Sequence, residues 1–144
     1  MNAHTGRLLV LILAWQGNAM ALRLLIADDN PDDAQLIAFA MKRGGYTVEW
    51  QRVEDETGFS RELPGADVVI CDYSMPRFSP VRALEMIRAS GRATPLLLVS
   101  GSVSAEVARR IMALGAAGSL PKDHLDRLAP AVRDALAGSP VPEP

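Results

Sequence analysis

The stretch LRLLIADDNPDD, residues 22–33, decides the reading of the fold. Leu22 to Ala27 is a strand that breaks on two acids, Asp28 and Asp29. Pro31 then stands where a first helical position belongs, since its missing N–H would have no partner there. Asp32 and Asp33 follow in the first turn, where carboxylates favour the positive end of a helix. Leu36, Ile37, Ala40 and Met41 recur at helical spacing and form one apolar face, and Gly44-Gly45 stop the helix. The stretch therefore reads as one strand-to-helix unit with its acids at the junction.

The same unit repeats downstream. Tyr46 to Gln51 alternates as a second strand, and Asp55 to Leu63 is a short helix before the Pro64-Gly65 turn. Val68-Val69-Ile70-Cys71 is β-rich on both faces, as a buried parallel strand must be. A loop with Pro76 and Pro80 leads to a helix with Leu84 and Ile87 inward, ending near Gly91. Pro95 opens the strand Leu96 to Val99, and Val103, Val107, Ile111 and Leu114 give a helix closed by Gly115. A short strand around Ser119-Leu120 precedes a last helix, Ala131 to Ala137, with Pro130 at its first position. Strands alternating with helices predict an α/β fold, a doubly wound parallel sheet with helices on both faces. No internal repeat or low-complexity tract interrupts the pattern.

Composition narrows the function. The chain has 144 residues, 49% hydrophobic and 22% charged, which fits one soluble globular domain with a real core. A single cysteine, Cys71, excludes an internal disulfide, and no Cys/His cluster offers a zinc site. A net charge of −2 gives no basic footprint for nucleic acid or an anionic membrane. A DNA-binding or catalytic partner domain is therefore expected on a separate protein. Residues 1–20 form an apolar extension of their own kind. Leu8 to Trp15 is too short to span a bilayer, which takes roughly 18 residues or more. Arg7 before the run and Ala19-Met20-Ala21 after it formally fit a secretory signal, but a packed extension, or a start codon placed ahead of Met20, is the favoured reading. The domain is expected over 21–138, followed by a polar, Pro-rich tail at 139–144.

In such folds the ligand crevice lies at the carboxyl ends of the strands. Residues just past each expected strand share that rim: Asp28 and Asp29, Asp72, Ser100 and Lys122. Each alone has an ordinary explanation: charge at a helix N-terminus, a turn former, a helix start, a solvated lysine. Their coincidence on the correct strand ends favours a site. Three neighbouring carboxylates must protonate or share a cation. All-oxygen ligation with open positions suits Mg2+ rather than zinc. With Lys122 nearby, positive charge is focused where phosphoryl oxygens could sit. Asp72 could then act as a carboxylate nucleophile and form an acyl phosphate, with Ser100 donating a hydrogen bond to the phosphoryl group.

Ala27-Asp28-Asp29-Asn30-Pro31, the segment Val68 to Pro76 around Asp72, Val99-Ser100-Gly101 and Lys122 together resemble the receiver domain of two-component response regulators, of the chemotaxis-regulator type. The resemblance runs from about Leu22 to Ala137, and the stretch Leu120 to Leu136 is similar to receivers that accompany sensor kinases and PAS-containing proteins. It implies a five-stranded sheet of flavodoxin-like order 2-1-3-4-5. It implies Asp72 as the phospho-accepting residue, Asp29 as a direct Mg2+ ligand, Asp28 as an acid acting mainly through water, and the Ser74 backbone carbonyl completing the set. Ser100 matches the switch hydroxyl, Lys122 the phosphoryl-binding lysine, and Ser74 and Ser102 the positions that tune the lifetime of the phosphoryl group. The partner implied is a histidine kinase or a phosphotransfer protein. The domain is expected to be no enzyme, cytoplasmic, a monomer or weak homodimer, and to signal through the face of its fourth helix, fifth strand and last helix.

Three departures from the family stand out. Ser119 occupies the place of the switch aromatic, Asp123 replaces the proline after the lysine, and Ser79-Pro80 replaces a glycine-containing turn, which should stiffen that loop. A Mg2+-dependent phosphatase of the haloacid-dehalogenase type would need a second acid where Ser74 stands. A flavodoxin-like cofactor binder would need a Ser/Thr/Gly loop where Asp28-Asp29 stand. A degenerate receiver serving as a phosphorylation-independent interaction module is the remaining alternative, favoured by Ser119 and opposed by the complete acid set. Cys71 reads as a core thiol, His124 as a turn residue, and His4, Trp15 and Trp50 as packing or surface residues.

Overall fold

A computed structural model describes residues 21–138. The apolar run at 8–15, the alternatives for residues 1–20 and the tail at 139–144 lie outside the described residues. In chain order the elements are β1 (Leu22–Ala27), α1 (Pro31–Arg43), β2 (Val48–Val53), α2 (Glu56–Glu62), β3 (Val68–Cys71), α3 (Pro80–Ala89), β4 (Leu96–Ser100), α4 (Ala105–Ala113), β5 (Gly118–Pro121) and α5 (Leu128–Leu136). Short 3-10 turns at Leu63–Gly65 and Lys122–Arg127 lead into β3 and α5. The strands form one parallel sheet in the order β2-β1-β3-β4-β5.

Alternation along the strands fills both faces. Leu24, Ile26, Val68, Ile70, Leu97 and Val99 pack against α1 and α5 through Ile37, Met41, Leu128 and Val132. Leu25, Ala27, Val69, Cys71, Leu96 and Leu98 pack on the other face against Phe59 of α2, Leu84 and Ile87 of α3 and Ile111 of α4. Burial on both sides explains why β3 and β4 read as unbroken apolar runs.

Several boundaries differ from the expectation for physical reasons. β2 begins at Val48 rather than Tyr46, because Tyr46 N–H closes the helix end on Met41 O (3.1 Å), with Gly45 at φ 98° making the reversal. The buried face of α1 is Ala34, Ile37, Ala38 and Met41; Leu36 and Phe39 stand more than half exposed. α4 is capped by Ser104, whose hydroxyl accepts from Val107 N–H, so Val103 precedes the helix. Leu114 lies past its last residue and is exposed. α5 starts at Leu128, not Ala131, and Pro130 falls within its first turn, where N–H groups have no intrahelical partner to lose. The Ser79-Pro80 pair is itself a helix start: Ser79 Oγ accepts from Arg82 N–H (3.1 Å) with Pro80 at the first position. The Lys122–Asp123 peptide is trans. No helix among the described residues is long and apolar enough to cross a membrane.

Candidate functional site

Parallel pairing carries the chain ends of β1, β3, β4 and β5 to one edge of the sheet, and the ladder continues just far enough to fix the acids. Asp28 N–H donates to Val53 O (3.0 Å) and Asp72 N–H to Ala27 O (2.8 Å), so both carboxylates leave backbone held by a neighbouring strand. Asp28, Asp72 and Ser100 are the buried polar or charged side chains among the described residues. Asp29 is exposed at the rim. Asp28, Asp29 and Asp72 each bring one oxygen within 4.8 Å of the others.

Each partner has a distinct task. Ser100 Oγ donates to Asp72 Oδ1 at 2.8 Å. Asn30 N–H donates to Asp28 Oδ1 at 2.9 Å, and Asn30 also caps α1 by accepting from Asp32 and Asp33. Lys122 Nζ reaches over the crevice from the end of β5. It lies 2.8 Å from Asp28 Oδ2, 2.8 Å from Asp33 Oδ2 and 3.7 Å from Asp72 Oδ2. The Asp33 contact is a well-formed hydrogen bond. The Asp28 contact is short but poorly angled, leaving the buried Oδ2 without a hydrogen-bond partner.

Burial pushes Asp28 above the ordinary carboxylate range, against the opposing pull of Lys122 and the Asn30 N–H. Burial alone would lower Lys122, but the carboxylates of Asp28 and Asp33 outweigh it and hold the ammonium above the usual lysine value. Burial also raises Cys71, helped by the charges of Asp72 and Asp28, so it stays a neutral core thiol. A buried carboxylate oxygen held by an ion contact with Lys122 but by no aligned hydrogen bond, beside two further carboxylates, fits a hard divalent cation with oxygen preference.

Asp28 has a stability consequence of definite sign. Its folded-state pKa lies above the unfolded value, so the fold binds its proton more tightly than the unfolded chain does. That contribution is complete below the unfolded pKa and is lost as pH rises through the folded one. Asp28→Asn is therefore expected to raise the thermal midpoint of metal-free protein at pH 7. The gap to wild type should close below about pH 4, near the unfolded pKa. A variant melting below wild type at both pH values would show that the Lys122 contact governs this carboxylate instead.

The structure brings together Asp28, Asp29, Asp72, Ser100 and Lys122. Ser74 and Ser102 lie exposed in the loops that follow β3 and β4. Ser119 is half-buried on β5 opposite Leu98, where its small side chain leaves no ring to move. Sequence reasoning treated Asp33 only as a first-turn acid and missed its bond to Lys122; its place three residues past the Asn30 cap, on the turn nearest the acids, was the available signal. It also missed Arg52, whose Nη1 donates to Asp28 O at 3.2 Å from the edge strand.

Residues 24–133 match the family described as the response regulator receiver domain. Chemotaxis protein CheY of Treponema pallidum is 27% identical over 113 residues, covering 76% of this chain and 78% of that protein. Cell cycle transcriptional regulator CtrA of Caulobacter vibrioides is 25% identical over 74% of this chain, but the match spans only 47% of CtrA. The signal receiver domain of NarL from Mycobacterium tuberculosis superposes with a TM-score of 0.70 at 24% identity, covering 82% of this chain and 98% of that one. The sheet order expected from the resemblance is the order observed. By a match that runs through all five strands, this chain belongs to the response regulator receiver domains, whose general business is phosphorylation-based signalling.

Proposed function

We propose that this domain accepts a phosphoryl group on Asp72 from a histidine kinase or a phosphotransfer protein, and signals onward through protein contacts rather than by catalysing a reaction on a substrate. The carrying observation is the state of Asp72: a buried carboxylate, oriented by Ser100 through Oδ1, with Oδ2 facing Lys122 across the acid crevice. In the transfer, one Asp72 oxygen forms the new bond to phosphorus as the donor's bond to phosphorus breaks, and the electron pair leaves with the donor. Ser100 is placed to exchange its bond to Asp72 for one to a phosphoryl oxygen. Lys122 has a short path from 3.7 Å to the same group.

Asp28, Asp29 and Asp72, with the Ser74 backbone carbonyl, would hold Mg2+, and the convergence of three carboxylate oxygens within 4.8 Å of one another supports that ligand set. When bound, the ion neutralises charge on the transferring phosphoryl oxygens. Ser74 and Ser102, exposed beside the crevice, would set how readily water reaches the acyl phosphate. Output would pass through α4, β5 and α5, biased when Ser100 engages the phosphoryl group and without help from a ring at Ser119. A monomer or weak homodimer in the cytoplasm, where the phosphate donors are, suits this reading.

Incubation with acetyl phosphate and Mg2+ is expected to add the mass of one phosphoryl group, and chelation of the metal beforehand to prevent it. Wild-type protein that gains no mass, yet keeps its fold by circular dichroism, would overturn the reading in favour of a phosphorylation-independent interaction module.

A further inference from the structure

The register between β1 and β2 ends at the pair Ala27 and Val53, and beyond it Asp28 N–H donates to Val53 O at 3.0 Å. The next carbonyl, Asp28 O, is taken by a side chain instead. Arg52 Nη1 donates to it at 3.2 Å and to Glu54 Oε2 at 3.0 Å. β2 thus grips Asp28 by both of its backbone polar groups, one through the main chain and one through a guanidinium. What Arg52 holds is the peptide that joins the first two acids. A peptide unit is planar, so fixing Asp28 O also fixes Asp29 N–H and the direction in which the chain leaves toward Asp29. Asp28 is buried and Asp29 stands exposed at the rim, yet their carboxylates converge with that of Asp72 to within 4.8 Å. That convergence depends on how the shared peptide is turned.

Resting on the proposed Mg2+ site, we infer that Arg52 is a positioning residue that locks the Asp28–Asp29 peptide and so sets the spacing of the two acids for a small, strictly octahedral cation. Its hydrogen bonds go to the Asp28 backbone and to Glu54, so it acts on the ion only through the acids. Its own charge works in the opposite sense, because a cation beside a cation site repels the ion. Glu54 offsets that charge at 3.0 Å, and both side chains are part-exposed, so solvent screens what remains. The geometric effect therefore dominates. It also carries a signature that a charge effect lacks. Mg2+ demands near-ideal octahedral geometry, whereas Ca2+ accepts longer bonds and flexible coordination. A loosened Asp28–Asp29 peptide should penalise Mg2+ more than Ca2+, while a change of charge would act on both ions alike.

The test reads ion affinity from the rise of the thermal midpoint of the full chain with added MgCl2 or, separately, CaCl2, each variant referred to its own metal-free midpoint and no phosphate donor present. Arg52→Met keeps the apolar stem and removes both hydrogen bonds. It is expected to bind Mg2+ about three- to tenfold more weakly than wild type, the scale of one hydrogen bond at a part-exposed site. Its Ca2+ affinity should fall less than about twofold, on the looser coordination that ion accepts. Arg52→Lys should bind Mg2+ within about twofold of wild type, because a single nitrogen makes both bonds here and an ammonium carries donors enough for both. The side chain is part-exposed on an edge strand, so both variants are expected to keep the fold. Unchanged or tighter Mg2+ binding in Arg52→Met, equal losses for the two ions, or no recovery in Arg52→Lys would each overturn the inference. Wild-type protein whose midpoint does not respond to Mg2+ would overturn the metal site itself, and this inference with it.

Discussion

Asp72→Asn is expected to lose labelling by acetyl phosphate by more than about 10^3-fold, the scale on which removal of a nucleophile acts. The substitution is a clean one here. The amide oxygen of asparagine can still accept from Ser100 Oγ, now 2.8 Å from Asp72 Oδ1, and the backbone N–H still donates to Ala27 O. The residue is 6% exposed and keeps nearly the same volume, so no cavity opens. Removing one of three crowded carboxylates relieves repulsion, so metal-free Asp72→Asn should melt no lower than wild type. Loss of label with an intact fold assigns the acceptor by mass spectrometry and melting together. Label retained at the wild-type rate would move the acceptor elsewhere, with Asp28 and Asp29 the next residues to replace.

The site was largely legible in the sequence because a parallel sheet converts chain position into spatial position. Asp28, Asp29, Asp72 and Lys122 each follow the last residues of a strand and Ser100 closes one, so all five reach the same rim whatever the exact helix boundaries. The partners of those residues were not legible. Asp33 sits in a helix first turn, where an acid already has a sufficient local reason, and only the reach of the Lys122 stem reveals its second role. That Asp28 Oδ2 has an ion contact but no aligned hydrogen bond depends on the angle at which Lys122 approaches, which no spacing rule contains.

The fold divides along similar lines. β1, β3 and β4 were set by apolar runs buried on both faces, but strand order came from the family resemblance, because apolar runs carry no neighbour information. The inner face of α1 was displaced in the reading because Leu36 outweighs alanine on any hydrophobicity count. Ala34 and Ala38 are nevertheless the residues turned to the sheet, where small side chains let the helix lie close. β2 is an edge strand with alternating burial, so its frame slid by two residues, and only its pairing of Leu22 with Val48 sets the start.

Phe59→Ala is expected to be the most damaging single truncation on the α2–α3–α4 face, costing about 3–5 kcal/mol against a total near 5–15 for a domain of this kind. Phe59 is fully buried and is the largest of the fully buried side chains. It is the one large side chain buried by α2, a helix of seven residues that is too short to persist unaided. α2 also lies tight on the edge strand: a Cβ on Gly58 would stand 3.2 Å from Val53 Cγ1, so the helix has little room to collapse into the space a missing ring leaves. The Phe59 ring meets Phe78, centroids 4.8 Å apart and tilted by 40°, and Phe78 anchors the loop that carries Ser74 between Asp72 and α3. The denaturant midpoint should fall steeply with the slope m unchanged, since the same surface is exposed on unfolding. Labelling of Asp72 should survive at temperatures where the variant remains folded, because Asp72 is held by Ser100 and the Ala27 carbonyl rather than by the ring. Phe59→Leu, which refills part of the volume, should recover more than half of the loss. A loss below about 1 kcal/mol for the alanine variant would mean that α2 repacks onto the sheet, and that the loop after β3 is held by α3 rather than by this aromatic pair.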